Sequence, residues 1–230
     1  MSEVGGEHEA EALMDPITSI IASYRSSLRR SVRRKHEIYG AAKRAFDILV
    51  VCATAPAVML VIAGAASAIW IAEGRPLFFV HNRVGRGGRV FSMLKLRTMK
   101  PTWDSDRTAT VKNDPRITPL GRFLRRSHID ELPQIWNILL GHMTLIGPRP
   151  EQPALVKIYR EKLPNYDARH TVTPGITGLA QVEFGYASDL FETEKKLVYD
   201  LKYIDLYGPK IDFLIVLRTI RIFFDPRFVR

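Results

Sequence analysis

The stretch from Ile48 to Ala72 contains 25 residues and no charged side chain. A helix needs roughly 20 apolar residues to cross the hydrocarbon core of a bilayer, so this segment commits the chain to a membrane. Its flanks restrict how it enters. Upstream lie Lys43, Arg44 and a cluster from Arg29 to Lys35; downstream lie Arg75, Arg83, Arg86, Arg89, Lys95, Arg97 and Lys100. Basic flanks favour the cytoplasmic side, and a single crossing would send one of them out. A segment that enters, turns and returns keeps both inside. Pro56 removes a backbone donor and crowds the preceding turn, so it is the expected break. A kinked helix that spans is the alternative, since membrane helices tolerate proline.

The chain has 230 residues and a net charge of +10, from 34 basic and 24 acidic side chains. That excess points to an anionic partner: nucleic acid, anionic lipid or a phosphorylated substrate. One cysteine, Cys52, rules out an internal disulfide. Residues 1–15 carry Glu3, Glu7, Glu9, Glu11 and Asp15 without Lys or Arg, which reads as a disordered acidic leader. Residues 16–42 form a basic amphipathic extension. Asp15-Pro16 signals a helix start, and Ile17, Ile20, Ile21, Tyr24 and Leu28 share one face. Such a helix favours anionic inner-membrane lipids; packing on its own domain is the alternative. Residues 43–74 are the membrane helix, and 75–230 the cytosolic domain.

That domain opens with strand-like runs, Leu77–Asn82 and Arg89–Thr98, joined by Val84-Gly85-Arg86-Gly87-Gly88. This is a hairpin signal. The glycines also suit a phosphate loop, but no helix pattern follows them. Between Arg75 and Arg126 there are 13 Lys or Arg residues against Asp104, Asp106 and Asp114. Lys95 and Arg97, two apart on a strand, share a face. Arg122, Arg125 and Arg126 fall on a short helix just before two adjacent acids, Asp130 and Glu131.

Pro133 lacks an N–H and fits the first helical turn. The helix is therefore expected to start near Asp130, with Ile135–Leu140 as its body and Gly141 as its stop. Ordinary capping accounts for acids at such a start. A carboxylate nucleophile, a metal ligand and a general base are the chemical alternatives. The helix dipole is expected to keep Asp130 ionised.

Seven segments in order carry a resemblance. They are Lys43-Arg44-Ala45-Phe46-Asp47; Asn82-Arg83-Val84-Gly85; Lys95-Leu96-Arg97-Thr98-Met99; Asp114-Pro115-Arg116-Ile117-Thr118; Asp130-Glu131-Leu132-Pro133-Gln134; Met143 to Pro150; and Pro174 to Val182. Together they resemble the bacterial sugar transferase family, the monotopic phosphoglycosyl transferases that charge polyprenyl phosphate. The similarity covers about residues 41–224. It departs in two places. The proline of the apolar segment follows Ala55 rather than a mid-segment serine, and Glu183-Phe184-Gly185-Tyr186 stands where many members have Asn-Gly-Arg. The sugar is therefore not carried over.

The resemblance implies a predominantly helical α+β protein. It would be monotopic, with a re-entrant membrane helix, a small β-hairpin and C-terminal interfacial helices over Glu192–Leu206 and Lys210–Phe224. It would lie on the cytoplasmic face of the bacterial inner membrane. Asp130 would attack the β-phosphorus of a UDP-sugar and release UMP. Undecaprenyl phosphate would then take the phosphosugar, initiating exopolysaccharide or other glycoconjugate synthesis. Glu131 would act as metal ligand or base, and Asp130 and Glu131 would hold Mg²⁺. Arg149, between two prolines, would bind phosphate, with Lys95, Arg97, Arg116, Arg122 and Arg126 as further anion contacts; structural ion pairs are the alternative for each. Two other readings use the same residues: a metal-dependent lipid or nucleotide phosphohydrolase, and a non-catalytic basic membrane scaffold. No zinc-finger, helix-turn-helix or base-stacking pattern supports nucleic-acid binding. Self-association as a homo-oligomer is compatible with the extra basic helix, though no residue pattern demonstrates it.

Overall fold

A computed structural model describes residues 5–100, 114–184 and 189–223, with side chains within residues 37–222. The chain is mostly helical. A long helix, α1 (Gly5–Glu73), leads into an antiparallel hairpin of β1 (Phe78–Val84) and β2 (Val90–Leu96). Then follow α2 (Pro119–Arg126), a 3₁₀ turn (Ile129–Gln134) and α3 (Ile135–Leu139). Strand β3 (Thr144–Ile146) precedes α4 (Pro153–Lys162), a second 3₁₀ turn (Tyr166–Thr171) and β4 (Gly175–Thr177). Helices α5 (Leu179–Glu183), α6 (Leu190–Asp205) and α7 (Pro209–Phe223) complete the order. Strands β3 and β4 pair in parallel, Thr144 with Gly175 and Ile146 with Thr177.

The hairpin forms where the sequence places it. Gly87 and Gly88 both take left-handed φ values, 67° and 76°, a conformation open to glycine at little cost. The glycine run is therefore the hairpin connection, not a phosphate loop.

Two expectations about α1 change. Asp15-Pro16 is not an element boundary, because the helix already includes Gly5. Pro56 does not interrupt it either: helix continues on both sides, and Pro56 is exposed. A proline removes a single i→i−4 hydrogen bond and can be absorbed within a helix. Lys43, Asp47, Val51, Ile62 and Ile69 are buried, and Val58, Ala65 and Ala66 partly so. These positions recur at helical spacing, so one stripe of α1 faces the rest of the protein from both sides of Pro56. The opposite face is apolar and uncovered: Phe46, Leu49, Leu60, Trp70 and Ile71 are all exposed. Glu37–Glu73 is the one described stretch long and apolar enough to cross a membrane, and only 11% of its most apolar window is buried.

Both ends of the apolar segment are tied to the same body. At the first end, Lys43 pairs with Asp212 of α7, which also accepts a 2.7 Å hydrogen bond from the Tyr39 hydroxyl. Arg44 donates to the Ile138 carbonyl and, at 2.8 Å, to that of Leu139, closing the end of α3. Asp47 accepts from the Thr144 hydroxyl on β3. At the other end, Arg97 donates to the carbonyls of Glu73 and Gly74, both at 3.0 Å. The span from Lys43 to Glu73 is about 45 Å at roughly 1.5 Å per residue.

Two apolar clusters hold the body together. Val51, Ile62 and Ile69 of α1 join Phe91, Met93 and Leu96 of β2 with Leu124, Ile135 and Ile138. Leu197, Leu201 and Ile204 of α6 join Ile146, Val156, Leu179, Ile211 and Ile215. Each fully buried Leu or Ile contributes about 1.5–3 kcal/mol, so the first cluster fixes α1 to the hairpin and to the turn that carries Asp130 and Glu131.

Candidate functional site

Asp130 and Glu131 sit within the 3₁₀ turn rather than at an α-helical cap. His128 precedes the turn in the left-handed region, at φ 54°. The Glu131 amide reaches the His128 carbonyl at 3.2 Å, an i→i−3 bond. Pro133 lies inside the turn, where its missing N–H leaves the tighter pattern in place. Helix α3 then runs for five residues and stops at Gly141, at φ 79°. The stop falls where expected; the start does not.

So short a helix has little dipole to offer, and the electrostatics of Asp130 come from elsewhere. Its side chain is buried. Burial is the largest influence and pushes its carboxyl above the usual range; Lys95 pulls it back, Glu131 raises it further, and Arg125 and His128 oppose that rise. Side-chain cations, not the expected helix dipole, favour ionised Asp130. No hydrogen bond to its carboxylate is found among the described residues.

Glu131 is the opposite case. Lys95 Nζ lies 2.7 Å from Glu131 Oε1. Arg149 grips both carboxylate oxygens, through Nη1 to Oε2 at 3.1 Å and through Nη2 to Oε1. Burial raises Glu131, but Arg149 and Lys95 outweigh it and hold the carboxyl well below the usual range. A carboxylate so placed is a poor base, and both its oxygens are engaged. It orients two cations beside Asp130.

The loop carrying Arg149 is fixed from behind. Arg169, almost wholly buried, donates to the Arg149 carbonyl at 2.7 Å and to Asp200 at 2.7 and 3.0 Å. The β3–β4 pairing brings Gly147 against Gly175 so closely that a Cβ on Gly175 would lie 2.1 Å from the Gly147 nitrogen. A Cβ on Gly178 would lie 2.3 Å from the Gly147 carbonyl oxygen. Only hydrogen fits at these positions, which is why glycine stands on both sides of the contact.

The remaining sequence candidates separate. Lys95 and Arg149 converge on Glu131, and Lys95 and Glu131 act in turn on Asp130. Arg97 instead binds the end of α1, through the carbonyls of Glu73 and Gly74. Arg116 folds back on Asp114, with contacts at 2.9 and 2.7 Å. Arg122 and Arg126 are exposed on α2 and make no ion pair among the described residues. Arg125 is the arginine of that helix whose charge reaches Asp130, while its Nε donates to Thr98 at 2.8 Å. Sequence reasoning placed it on the helix without selecting it. It also passed over Arg83, Glu151 and Lys196, a second cluster next to Arg149.

Magnesium, implied by the resemblance, fits this donor set only in part. Among the described residues no three His, Cys, Asp or Glu side chains are grouped to hold a metal. Glu131 is occupied by its two cations. Asp130 remains as one carboxylate, which suffices where substrate phosphates and water complete the shell.

Three relatives are similar to this chain in sequence. The chain is 40% identical over 185 residues to a UDP-N-acetylgalactosamine-undecaprenyl-phosphate N-acetylgalactosaminephosphotransferase of Aeromonas hydrophila, covering 80% of this chain and 44% of that protein. It is 37% identical over 182 residues to a UDP-glucose:undecaprenyl-phosphate glucose-1-phosphate transferase of Escherichia coli, covering 77% and 39%. A protein of the same description from Caulobacter vibrioides is 39% identical over 185 residues, covering 77% and 68%. The chain thus spans less than half the length of the first two. The sequence profile that describes bacterial sugar transferases matches residues 38–226. That match takes in the clamped apolar helix, the hairpin, the acidic turn and the glycine contact, and it places the chain in the bacterial sugar transferase family.

Proposed function

We propose that this chain transfers a sugar-1-phosphate from a UDP-sugar to undecaprenyl phosphate, at the cytoplasmic face of a bacterial inner membrane. The carrying observation is Asp130: a buried carboxylate without a hydrogen bond among the described residues, beside Lys95 and near Arg125. Its oxygen attacks the β-phosphorus, and the bond from that phosphorus to the bridging oxygen breaks. UMP leaves with the electron pair, and a phosphosugar remains on Asp130. A phosphate oxygen of undecaprenyl phosphate then displaces Asp130 and forms the diphosphate-linked product. Lys95 and Arg149 bind the transferred phosphoryl group, oriented by Glu131. Asp130 would be the protein carboxylate holding Mg²⁺, which would supply charge neutralisation at the diphosphate. The reaction class follows the relatives' names; exopolysaccharide or another glycoconjugate is the downstream product.

Trapping tests the covalent step. Full-length protein in nanodiscs is mixed with UDP-sugar labelled at the β-phosphate, Mg²⁺ and no acceptor. One label per protein with a matching burst of UMP is expected, chased off by undecaprenyl phosphate. UMP release with label in free sugar phosphate or inorganic phosphate, and none on protein at any time, would instead identify a hydrolase.

The same reading makes the protein monotopic. A body that holds both Lys43 and Glu73 keeps both flanks on one side, with the uncovered face of α1 in hydrocarbon. Helix α7, with Phe213, Leu217 and Ile220 exposed beside Arg218 and Arg221, then lies in the interface. Single cysteines at residues 38 and 82, in a Cys52→Ser background, are expected to label from the same side of sealed vesicles. Opposite-side labelling would refute this topology.

A further inference from the structure

A second cluster repeats the arrangement around Glu131. Glu151, two residues beyond Arg149, is clamped between Lys196 of α6 and Arg83 of β1. Lys196 pairs with its Oε1, and Arg83 Nη1 lies 3.7 Å from its Oε2. Arg83 Nη1 also donates to the Pro150 carbonyl at 3.2 Å, and the Val84 amide donates to the Glu151 carbonyl at 2.9 Å. Burial raises Glu151, but Lys196, Arg169 and Arg83 bring its carboxyl down to about 2. It is ionised throughout the physiological range. Two cations and one carboxylate leave each cluster a net charge of one positive unit.

The two clusters are neighbours. Arg149 and Glu131 both act on the charge of Arg83, and the Arg149-Pro150-Glu151 loop joins them. The second cluster also has spare donors. Lys196 has three N–H groups, and its bond to Glu151 uses one of them. Arg83 Nε is buried without a hydrogen-bond partner among the described residues.

We propose that Arg83 and Lys196, bridged by Glu151, form a second phosphate subsite that takes the nucleoside monophosphate leaving group. The inference rests on the transferase reading above. When the β-phosphorus–oxygen bond breaks, the electron pair stays on the bridging oxygen. The α-phosphate thereby becomes a dianion without taking a proton. The acceptor phosphate, in contrast, loses negative charge as it attacks. A fixed positive cluster stabilises charge where it develops, which favours the leaving group as its occupant. Glu151 bridges the two cations and offsets half of their charge, while Arg83 is also held independently by the Pro150 carbonyl.

The test uses UMP, whose binding needs no turnover. UMP is titrated calorimetrically into the full chain in nanodiscs, for the wild type, Lys196→Met and Glu151→Gln. UMP binding is expected to weaken about tenfold in Lys196→Met, the loss of one charge-assisted hydrogen bond. The KM for UDP-sugar is expected to rise in parallel, while that for undecaprenyl phosphate stays fixed. Glu151→Gln raises the cluster's net charge, so UMP binding is expected to tighten, a change that loss of folding cannot imitate. Unchanged UMP affinity in both variants overturns the subsite, as does a KM shift confined to undecaprenyl phosphate. If no UDP-sugar turns over but the UMP affinities move as stated, the transferase reading fails and the phosphate subsite stands.

Discussion

Asp130→Asn is expected to lose at least about 10⁴-fold in turnover while leaving the fold intact. The magnitude is that of removing a covalent nucleophile whose neighbours still bind substrate. The stability expectation has a separate cause. Burial lifts the folded-state pKa of Asp130 above its unfolded value, so the charged form is penalised in the folded protein at neutral pH. The favourable contribution of such a group is present below the unfolded pKa and is lost as pH rises through the folded pKa. Asparagine removes the charge and keeps the shape. The thermal midpoint at neutral pH should therefore hold or rise, which separates loss of chemistry from loss of structure. Turnover within tenfold of wild type, in protein shown free of asparagine deamidation, would end the nucleophile assignment.

Glu131→Gln should fail in a different manner. Glu131 is held well below the usual carboxylate range by Arg149 and Lys95. Its contribution to stability is present above the unfolded pKa and lost as pH falls through the folded one. The glutamine variant lacks that contribution at neutral pH and leaves two cations without their shared carboxylate, at a cost of about 3–5 kcal/mol. Turnover is expected to fall by about 10²-fold, as for lost orientation of phosphate-binding groups. Because both oxygens already serve cations, the Mg²⁺ concentration giving half-maximal rate should stay put; a tenfold increase would restore the metal-ligand role expected from the sequence. The pH profile supplies a further sign. Glu131 raises the Asp130 carboxyl and Lys95 lowers it. The acid limb of the rate should move to lower pH in Glu131→Gln and to higher pH in Lys95→Met. Movement of both in one direction would show that Asp130 does not set that limb.

The residues legible in the sequence are those whose roles depend on near neighbours. The hairpin declared itself through two strand-like runs around Gly87-Gly88, and α6 and α7 lie where helices were expected, over Glu192–Leu206 and Lys210–Phe224. The family was legible from the order of its motifs. What escaped depends on distant pairing. Glu131 meets Lys95 across 36 positions and Arg149 across 18, and no local pattern records that both cations choose the same carboxylate. Arg97 shares a strand pattern with Lys95, yet its guanidinium meets the carbonyls of Glu73 and Gly74, 24 and 23 positions away, another pairing that no local pattern records. Among Arg122, Arg125 and Arg126, an eight-residue helix with charge on several sides does not reveal which one faces inward. Pro56 invited a break, but the stripe facing the body continues through it, and packing outweighs the single lost hydrogen bond.

The contact of Gly147 with Gly175 and Gly178 also bears on how this chain can change over generations. Three backbones meet where only a hydrogen atom fits, although the first lies 28 and 31 positions before the others, counting 175 − 147 and 178 − 147. For mutation they behave as one locus. A side chain added at any of the three must be met by movement of both partner strands at once, and no single substitution elsewhere supplies that. Substitutions elsewhere can accumulate one at a time, but this knot has no stepwise route out.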